Sequence, residues 1–408
     1  MIGSTNSSRY IAPSFNITIG VDIDESVSDP TTACTYPSDL DNATWTPCSN
    51  TSAGVFSFNE FATAKIIKDI KPMSFTGRVW AELDKKTESS WSTSIDCFTE
   101  IPHCYYSVTK SGNIIKVRLA DTKVDDTYVD WAFLGADGTT VRDNTHIGCF
   151  YYSGDATAGY SRPGSTPKVN MALNQYWVGA SKRGSEYDCL PFQQYLLLQI
   201  LFLIMFKTRD SQGKFSRGYV DSHSSVTANE LFTYNNDFGM AGKAGVDGHM
   251  SFFWVHDLWG NMYQYVASIF TRAGSSYTIY QNLGSMAKQS AWYPTSAWNS
   301  TSTSATQASM GTTTGSTGKR LGNYYTKACG TNGAGFLVDT SASAGSASTY
   351  WPDIGYVYVY SSSAGFLDVG GYYDDGDYAG LFYSGVYYNS HYANSYCGSR
   401  LSYRGGRA

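Results

Sequence analysis

The stretch Asp257-Leu-Trp-Gly-Asn-Met-Tyr-Gln-Tyr265 places a Gly-Asn pair among large aromatic residues. Burial of large aromatic side chains strongly favours folding, so Trp259 and Tyr265 are predicted to lie in the core. Gly260-Asn261 is typical of a tight turn. The stretch therefore predicts a turn beside a buried strand.

A buried helix is predicted upstream, over Leu190–Phe206, because this segment is apolar on nearly every face. Its longest apolar run, Tyr195–Phe206, contains Gln199 and is well short of the roughly 20 residues of a membrane-spanning helix. The first residues lack a basic cluster followed by an apolar core, so no signal peptide is expected. The sequence thus predicts a protein without membrane insertion.

Short runs of apolar and polar residues predict strands on both sides of this helix. These runs are Arg78–Leu83, Tyr105–Val108, Asn113–Leu119, Gly355–Tyr360 and Gly380–Tyr383, with a turn at Lys110–Asn113. Apolar residues at helical spacing predict a second helix over Phe58–Lys68. The Ser/Thr/Gly/Ala-rich residues Asn299–Gly318 predict a long loop.

The composition is low in charge and rich in tyrosine and glycine. Charged residues make up 15%, where about a quarter is typical, while the 408 residues include 33 Tyr and 40 Gly. This balance favours a turn-rich folded body over a disordered chain. The net charge of −5 gives no basic surface, so nucleic acid is not expected as a partner. The eight cysteines are scattered without a CxxC pair and are expected to be free thiols.

The segment Gly370–Cys397 has a restricted composition. Tyr, Asp, Asn, Ser, Gly and His dominate it, whereas Lys, Glu, Gln, Met and Trp are absent. Antibody paratopes have a similar usage, because Tyr gives a large rigid contact surface and Ser, Gly and Asn give adaptable hydrogen bonds. Replacing only the adenines of Asn codons also yields Tyr, Asp, His, Ser and Gly, but never a stop codon or any of the absent residue types. The alternative is an ordinary Tyr/Gly-rich β segment with turn residues in its loops.

Three motifs resemble the formylglycine-generating-enzyme type of C-type lectin fold, in the same order along the chain. Asp257–Tyr265 resembles its Asp-x-x-Gly-Asn-Val-x-Glu-Trp strand, and Gly370–Tyr373 and Gly398–Leu401 resemble its Gly-Gly-Ser-Trp and Gly-Phe-Arg-Leu motifs. Further upstream, four stretches resemble phage tail and receptor-binding proteins that carry this lectin domain: Ile101–Tyr106, Ser161–Pro167, Leu198–Ile204 and Asp210–Gly213. Together with the paratope-like segment, these motifs make the chain similar to the variable proteins of diversity-generating retroelements.

The resemblance implies an α+β fold, a C-type lectin-like fold of the formylglycine-generating-enzyme type with a β-rich N-terminal region. Residues 1–55 are then an N-terminal extension or small β element, and residues 56–125 form the β-rich N-terminal region. Residues 126–408 form the lectin-like domain, with a variable segment at residues 370–397.

The resemblance also implies an adhesin of the phage tail, made in the host cytoplasm and carried on the virion as a homotrimer. Its partners would be a host cell-surface protein or glycan and other phage tail proteins, with no catalysis, cofactor or metal. Leu381, Phe382 and Val386 are expected to face inward as scaffold. The residues expected to contact the ligand are Tyr372, Tyr373, Asp374, Asp375, Asp377, Tyr378, Tyr387, Tyr388, Asn389, His391, Tyr392, Asn394 and Tyr396.

Two alternatives stay open at this point: a structural tail or baseplate component, and an oxidase of the formylglycine-generating type. The oxidase needs a close cysteine pair for copper, whereas Cys329 and Cys397 stand far apart in sequence. His249 and His256, near Asp257, could be metal ligands, but turn or core roles are the more frequent. An acidic cluster at Asp374, Asp375 and Asp377 could hold Ca²⁺, although aspartates also suit an exposed turn. Arg400 is expected to pair inside the fold.

Overall fold

The computed structural model describes residues 16–228, 230–271, 278–284, 306–309, 319–321, 324–329, 335–339, 344–359 and 364–406. Within these ranges the chain is mostly β-sheet with few helices, as the strand patterns predict. None of the described helices combines the length and the apolar character needed to cross a membrane. The α-helices are α1 (Leu173–Ser181), α2 (Phe192–Phe206) and α3 (Ser211–Lys214).

The strands are numbered in chain order. Those before α2 are β1 (Thr18–Asp24), β2 (Cys34–Thr35), β3 (Lys71–Phe75), β4 (Trp80–Glu82), β5 (Asp96–Pro102), β6 (Tyr105–Ser111), β7 (Ile114–Ala120), β8 (Asn144–Tyr151), β9 (Ser153–Gly154), β10 (Gly159–Tyr160) and β11 (Tyr187–Cys189). Those after α2 are β12 (Ser251–Phe252), β13 (Val255–His256), β14 (Tyr263–Thr271), β15 (Thr278–Gln281), β16 (Thr306–Ser309), β17 (Lys319–Leu321), β18 (Tyr324–Tyr325), β19 (Ala328–Cys329), β20 (Leu337–Val338), β21 (Trp351–Val359), β22 (Phe366–Gly370), β23 (Gly380–Tyr388) and β24 (Cys397–Tyr403).

One large sheet has the strand order β17-β21-β23-β22-β14-β24-β8-β5-β3-β4. β11 joins it at β24, β15 pairs with β14 and with β16, and β18 pairs with β21. Most neighbours are antiparallel, whereas β14–β24 and β21–β23 are parallel pairs. The last strand, β24, therefore lies between β14 and β8, so the N-terminal strands β3 to β5 share one sheet with the C-terminal ones.

A second sheet of four strands has the order β2-β1-β7-β6. β6 and β7 form a hairpin whose turn contains Gly112 at φ +59°, a backbone conformation that suits glycine. This confirms the turn predicted at Lys110–Asn113. Residues 16–55, for which the sequence predicts an extension or a small β element, contain β1 and β2, and β1 pairs along its whole length with β7.

Helix α2 lies in the core, and every one of its side chains is buried. It ends at Lys207, which adopts a left-handed conformation and closes the last turn with a bond to the Leu203 carbonyl. The buried helix predicted over Leu190–Phe206 is confirmed, with its start two residues later. Burial of this apolar segment between the sheets stabilises the molecule without any polar face on the helix.

The Asp257–Tyr265 stretch is buried, and Trp259 and Tyr265 lie in the core, as predicted. The Gln264 amide donates to the carbonyls of Asp257 and Leu258, which fixes the turn before β14. The carbonyl oxygen of the same Gln264 side chain accepts from Nε of Arg400, at 3.0 Å.

Arg400 is buried in β24 and donates to three further backbone carbonyls, those of Gly148, Cys149 and His256. The internal pairing predicted for Arg400 is confirmed. Because a buried guanidinium must have its hydrogen bonds satisfied, this residue ties β24 to β8 and to the Asp257–Tyr265 stretch.

Two predictions about local structure are wrong. The helix predicted over Phe58–Lys68 is replaced by two 3₁₀ turns, Asn59–Ala62 and Ile67–Asp69. Asn59 and Ile66 have positive φ, which interrupts a right-handed helix despite the apolar spacing. The predicted loop Asn299–Gly318 contains strand β16, which pairs with β15, and the rest of that loop lies outside the described residues.

The described cysteines are buried and free, in line with the scattered sequence pattern. Burial raises the pKa of the Cys34 thiol to about 12, so this thiol is unreactive at neutral pH. The residues concerned are Cys34, Cys48, Cys97, Cys104, Cys149, Cys189 and Cys397.

Candidate functional site

The segment 370–397 is held at both of its ends by the turn before β14. The N–H of Gly260 donates to the carbonyl of Gly370 at 3.0 Å, at the start of the segment. The N–H of Tyr263 donates to the carbonyl of Tyr396, also at 3.0 Å, near its end. The two ends of the segment are therefore anchored on neighbouring residues of one rigid, buried turn.

The middle of the segment is strand β23, and its backing residues are buried. Leu381, Phe382 and Val386 face the core, so the inward orientation predicted for them is confirmed. The hydroxyl of Tyr195 and the amide of Gln199, both on α2, donate to the Leu381 carbonyl at 2.8 and 2.9 Å. Helix α2 thus fixes the backbone of β23 from behind.

One row of residues crosses four adjacent strands on the opposite face of the sheet. Tyr265 of β14 is paired with Asp368 of β22, Asp368 with Gly385 of β23, and Gly385 with Tyr356 of β21. Paired residues of adjacent strands project to the same side of a sheet. The row therefore places a carboxylate between tyrosines, with a glycine beside it.

The predicted tyrosines support one another next to this row. The rings of Tyr388 and Tyr392 are stacked, 3.9 Å apart and 12° from parallel. The hydroxyls of Tyr392 and Tyr396 lie 2.9 Å apart, and the Asn394 amide donates to the Tyr392 hydroxyl at 2.8 Å. The Tyr372 ring lies 4.9 Å from that of Tyr396. These contacts hold the rings in fixed orientations while leaving part of each ring accessible.

The predicted contact residues are neither fully buried nor uniformly exposed. The exposed ones include the two tyrosines with the most accessible rings, Tyr378 at 46% and Tyr387 at 39%. The complete exposed set is Asp374, Asp377, Tyr378, Tyr387 and His391. The half-buried set is Tyr372, Tyr373, Asp375, Tyr388, Asn389, Tyr392, Asn394 and Tyr396.

A pocket of about 380 Å³ opens among these tyrosines, and we call it the tyrosine pocket. Its wall combines residues of the 370–397 segment with residues of β14 and β21. The lining residues are Tyr263, Tyr356, Tyr358, Asp375, Tyr383, Tyr387 and Tyr388. Concave sites with aromatic walls and few polar groups are typical binding sites for small groups or side chains.

Two carboxyl groups belong to this region. Asp375 accepts hydrogen bonds from the Tyr263 hydroxyl and from the Tyr372 N–H, both at 3.1 Å. Burial raises the pKa of Asp375 to about 7, although these hydrogen bonds oppose the rise. Asp368 is completely buried, and neither of its carboxylate oxygens has a hydrogen-bond partner among the described residues. Its burial, together with the charge of Asp375, raises the pKa of Asp368 well above the usual range.

Part of the predicted set lies away from the tyrosine pocket. Asp377 accepts from Arg217 at 2.7 Å, and the Tyr378 ring lies 5.7 Å from that of Tyr324. Asp377 and Asp375 thus have different partners, and the two carboxylates do not converge on a common centre. The acidic cluster includes a short 3₁₀ turn, Gly376–Tyr378.

The two histidines considered as metal ligands are each paired with a carboxylate. His249 Nδ1 lies 2.8 Å from Asp257 Oδ2, and His256 Nε2 lies 2.7 Å from Glu88 Oε1. Thr227 completes the first pair, with its hydroxyl 3.1 Å from His249 Nε2. Across the part of the chain that the structure describes, no group of three His, Cys, Asp or Glu side chains could hold a metal ion.

The cysteines of the oxidase alternative do not form a described pair. Cys397 is buried where β24 begins, and burial raises the pKa of its thiol well above the usual value. The side chain of Cys329 lies outside the described residues.

Two other pockets are of similar or larger size, and in each of them a charged lining residue has a carboxylate partner. A pocket of about 470 Å³ includes His249, whose partner is Asp257. Another of about 500 Å³ is lined by Lys71, which pairs with Glu82 and Glu100. The tyrosine pocket differs because an unpartnered buried carboxylate, that of Asp368, lies on its face of the sheet.

The sequence alone does not identify several residues of this site: Tyr263, Tyr356, Tyr358, Asp368 and Tyr383. Tyr383 ends the predicted strand Gly380–Tyr383, but it is not among the residues predicted to contact the ligand. The others come from strands whose neighbours are set by long-range pairing. One signal was available for Asp368, since an isolated aspartate in the apolar run Phe366-Leu-Asp-Val369 is unusual for a buried strand.

No protein-family model matches the chain, and the comparison with curated proteins gives no match.

Proposed function

We propose that the protein is a phage tail receptor-binding protein, an adhesin that presents a diversified tyrosine-rich surface on a C-type lectin fold to a ligand on the host cell. One observation carries this proposal. Five tyrosines of the 370–397 segment, Tyr372, Tyr387, Tyr388, Tyr392 and Tyr396, lie close together and remain partly accessible, while Gly380–Val386 of the same segment are buried and α2 fixes their backbone at Leu381. A binding surface of this kind needs fixed packing beneath variable side chains.

The chemistry of the surface supports recognition rather than catalysis. Tyrosine offers a large contact area at a low cost in conformational entropy, and aromatic residues are enriched among the residues that dominate binding energies. Directed hydrogen bonds would come from Asp374, Asn389 and His391 at the edge of the surface. Repeated copies on a virion, in a homotrimer, would add avidity to a weak single contact.

The direct test is binding of the purified chain to cells of the bacterium that hosts the phage. Replacing Tyr387 or Tyr388 with alanine should reduce the bound fraction about tenfold, the usual effect of losing a central aromatic contact. Tyr105→Ala is the matched control, because Tyr105 is also half-buried but lies on the four-stranded sheet. Unchanged binding by both site variants would contradict the proposal.

The same variants distinguish the adhesin from a structural tail or baseplate component. For a structural component, Tyr387→Ala and Tyr388→Ala should break particle assembly and leave host attachment by the remaining intact particles unaltered.

Diversification of the surface has its own test in the genome. A near-copy of the coding segment for residues 370–397 should lie beside a reverse-transcriptase gene and differ almost only where the copy has adenine. Absence of such a copy would refute diversification. The binding experiment would still test whether the protein is an adhesin.

A further inference from the structure

The carboxylate of Asp368 is buried at the base of the tyrosine-rich face without a hydrogen-bond donor. Neither of its oxygens has a partner among the described residues, although the residue is fully buried. A buried carboxyl group without donors is destabilising relative to a hydrogen-bonded one. A group of this kind in a folded protein requires an explanation, and a ligand that supplies the donors is one.

The surroundings of Asp368 are aromatic and belong to the tyrosine pocket. The electrostatic influence of Asp368 reaches Tyr263, Tyr383 and Tyr388, each of which lines that pocket. Tyr263 and Tyr383 have rings 5.3 Å apart and 25° from parallel. The pocket therefore joins several aromatic faces with a carboxyl group that lies buried behind them.

Aromatic faces and a carboxylate attract the same kind of ligand. The face of a tyrosine ring carries negative partial charge and attracts cations within about 6 Å of its centre. Asp375, at the wall of the pocket, adds a second carboxyl group. Arg and Lys are the protein side chains that carry a positive charge to such a site, and a volume of about 380 Å³ accommodates one long side chain.

The two unpartnered oxygens of Asp368 also favour a cation that can donate hydrogen bonds to both of them. A quaternary ammonium group has no N–H and would leave both oxygens of Asp368 without donors. A guanidinium presents parallel N–H groups that match the two oxygens of one carboxylate, and its plane stacks on aromatic rings. A primary ammonium has three donors but lacks this planar match.

From this combination we infer that the tyrosine pocket binds a guanidinium-bearing side chain of a protein partner, with the surrounding tyrosines as its walls and with Asp368, once the rings that cover it turn aside, as its carboxylate acceptor. The inference rests on the proposed function and specifies the chemistry of its partner. Burial favours the neutral acid at Asp368 in the empty pocket, and the incoming cation replaces the proton as the partner of the carboxylate.

The test uses the full chain and short peptides that differ in one side chain. Acetyl-Gly-Gly-Arg-Gly-Gly-amide is compared with the same peptide carrying citrulline, a neutral analogue of nearly equal shape, and with peptides carrying lysine or trimethyllysine. Dissociation constants are measured by NMR titration. The arginine peptide should bind at least tenfold more tightly than the citrulline peptide, and the trimethyllysine peptide should bind more weakly than the arginine peptide.

Variants assign the effect to the carboxylate. Asp368→Asn should remove the preference for arginine over citrulline, whereas Asp126→Asn should preserve it, because Asp126 is an exposed residue in the turn after β7. Equal binding of arginine and citrulline to the wild-type chain would overturn the inference, whether or not the Asp368 variant folds. Tighter binding of trimethyllysine than of arginine would overturn it as well.

The failure of this inference is separable from the failure of the proposed function. Suppose that host-cell binding depends on Tyr387 but the arginine and citrulline peptides bind equally well. The proposal that the protein is an adhesin then stands, and the inference of a guanidinium ligand is rejected. Discrimination between the two peptides without any host-cell binding supports the pocket chemistry and rejects the adhesin.

Discussion

The carboxylate of Asp368 lies directly over Gly385, its partner on the neighbouring strand. A Cβ atom at position 385 would collide with Oδ1 of Asp368. Glycine in a strand interior often marks a place where another group must approach the backbone closely. Here the group is a buried carboxylate, so the shape of the tyrosine pocket depends on the absence of one side chain.

Replacing Gly385 with alanine should therefore destabilise the fold. Overpacking of a buried site costs about 1–3 kcal/mol, and the added methyl has no free space beside Asp368. The free energy of unfolding in urea measures the loss. The double variant Asp368→Ala with Gly385→Ala should recover part of it, because the collision is removed. Gly284→Ala is the control, since a Cβ there meets only ordinary contacts.

Replacing Asp375 with asparagine should flatten the pH dependence of stability. The pKa of Asp375 is raised from 3.8 to about 7 in the folded chain, mainly by burial. A group whose pKa rises on folding stabilises the folded state below its unfolded pKa, and this contribution is lost as the pH rises through the folded pKa. The wild-type unfolding free energy should thus fall between about pH 4 and pH 7.

The asparagine variant should lose part of that fall, because its side chain does not ionise, while Asp368 maintains the remainder. Urea unfolding at a series of pH values checks this. Asp126→Asn, an exposed change outside this turn, should keep the wild-type slope. A slope that is identical in the wild type and the Asp375 variant would contradict the assignment.

The two donors to the Leu381 carbonyl should act non-additively. Tyr195→Phe leaves the Gln199 amide bonded to that carbonyl, and Gln199→Leu leaves the Tyr195 hydroxyl. Each single change should cost about 1 kcal/mol. The double variant leaves the carbonyl without either side-chain donor and should cost more than the sum. A double-variant cycle in urea measures the coupling, and strictly additive losses would show that the two bonds act independently and would contradict this prediction.

Replacing Arg400 with methionine should cost about 3 kcal/mol or more, because it leaves several buried backbone carbonyls and the Gln264 side chain without their donor. Thermal unfolding of the variant checks this. Arg78→Met removes the same charge from an exposed position and should change stability by less than about 0.5 kcal/mol.

Regular patterns in the sequence predict the elements that depend on local chemistry. Because α2 is apolar on nearly every face, its sequence predicts burial. The two strands that flank Gly112 likewise predict the turn between them. The apolar spacing over Phe58–Lys68 misleads because Asn59 and Ile66 adopt positive φ. Surrounding structure imposes these conformations, and residue spacing carries no information about them.

The candidate site is predictable only in part for a related reason. The composition of residues 370–397 identifies tyrosines that prove accessible, such as Tyr387. Tyr263 and Tyr356 join them through the pairing of β14, β22, β23 and β21, and pairing between distant strands is not encoded in any short stretch. The lack of a hydrogen-bond donor for the Asp368 carboxylate among the described residues likewise cannot be recognised until its neighbours in the fold are known.

The anchoring of residues 370–397 at both ends by the turn before β14 has a consequence for sequence change. Because the two attachment points use backbone atoms, they do not depend on which side chains lie between them. We therefore expect that outward-facing side chains of this stretch can be exchanged without changing the two backbone attachments at its ends.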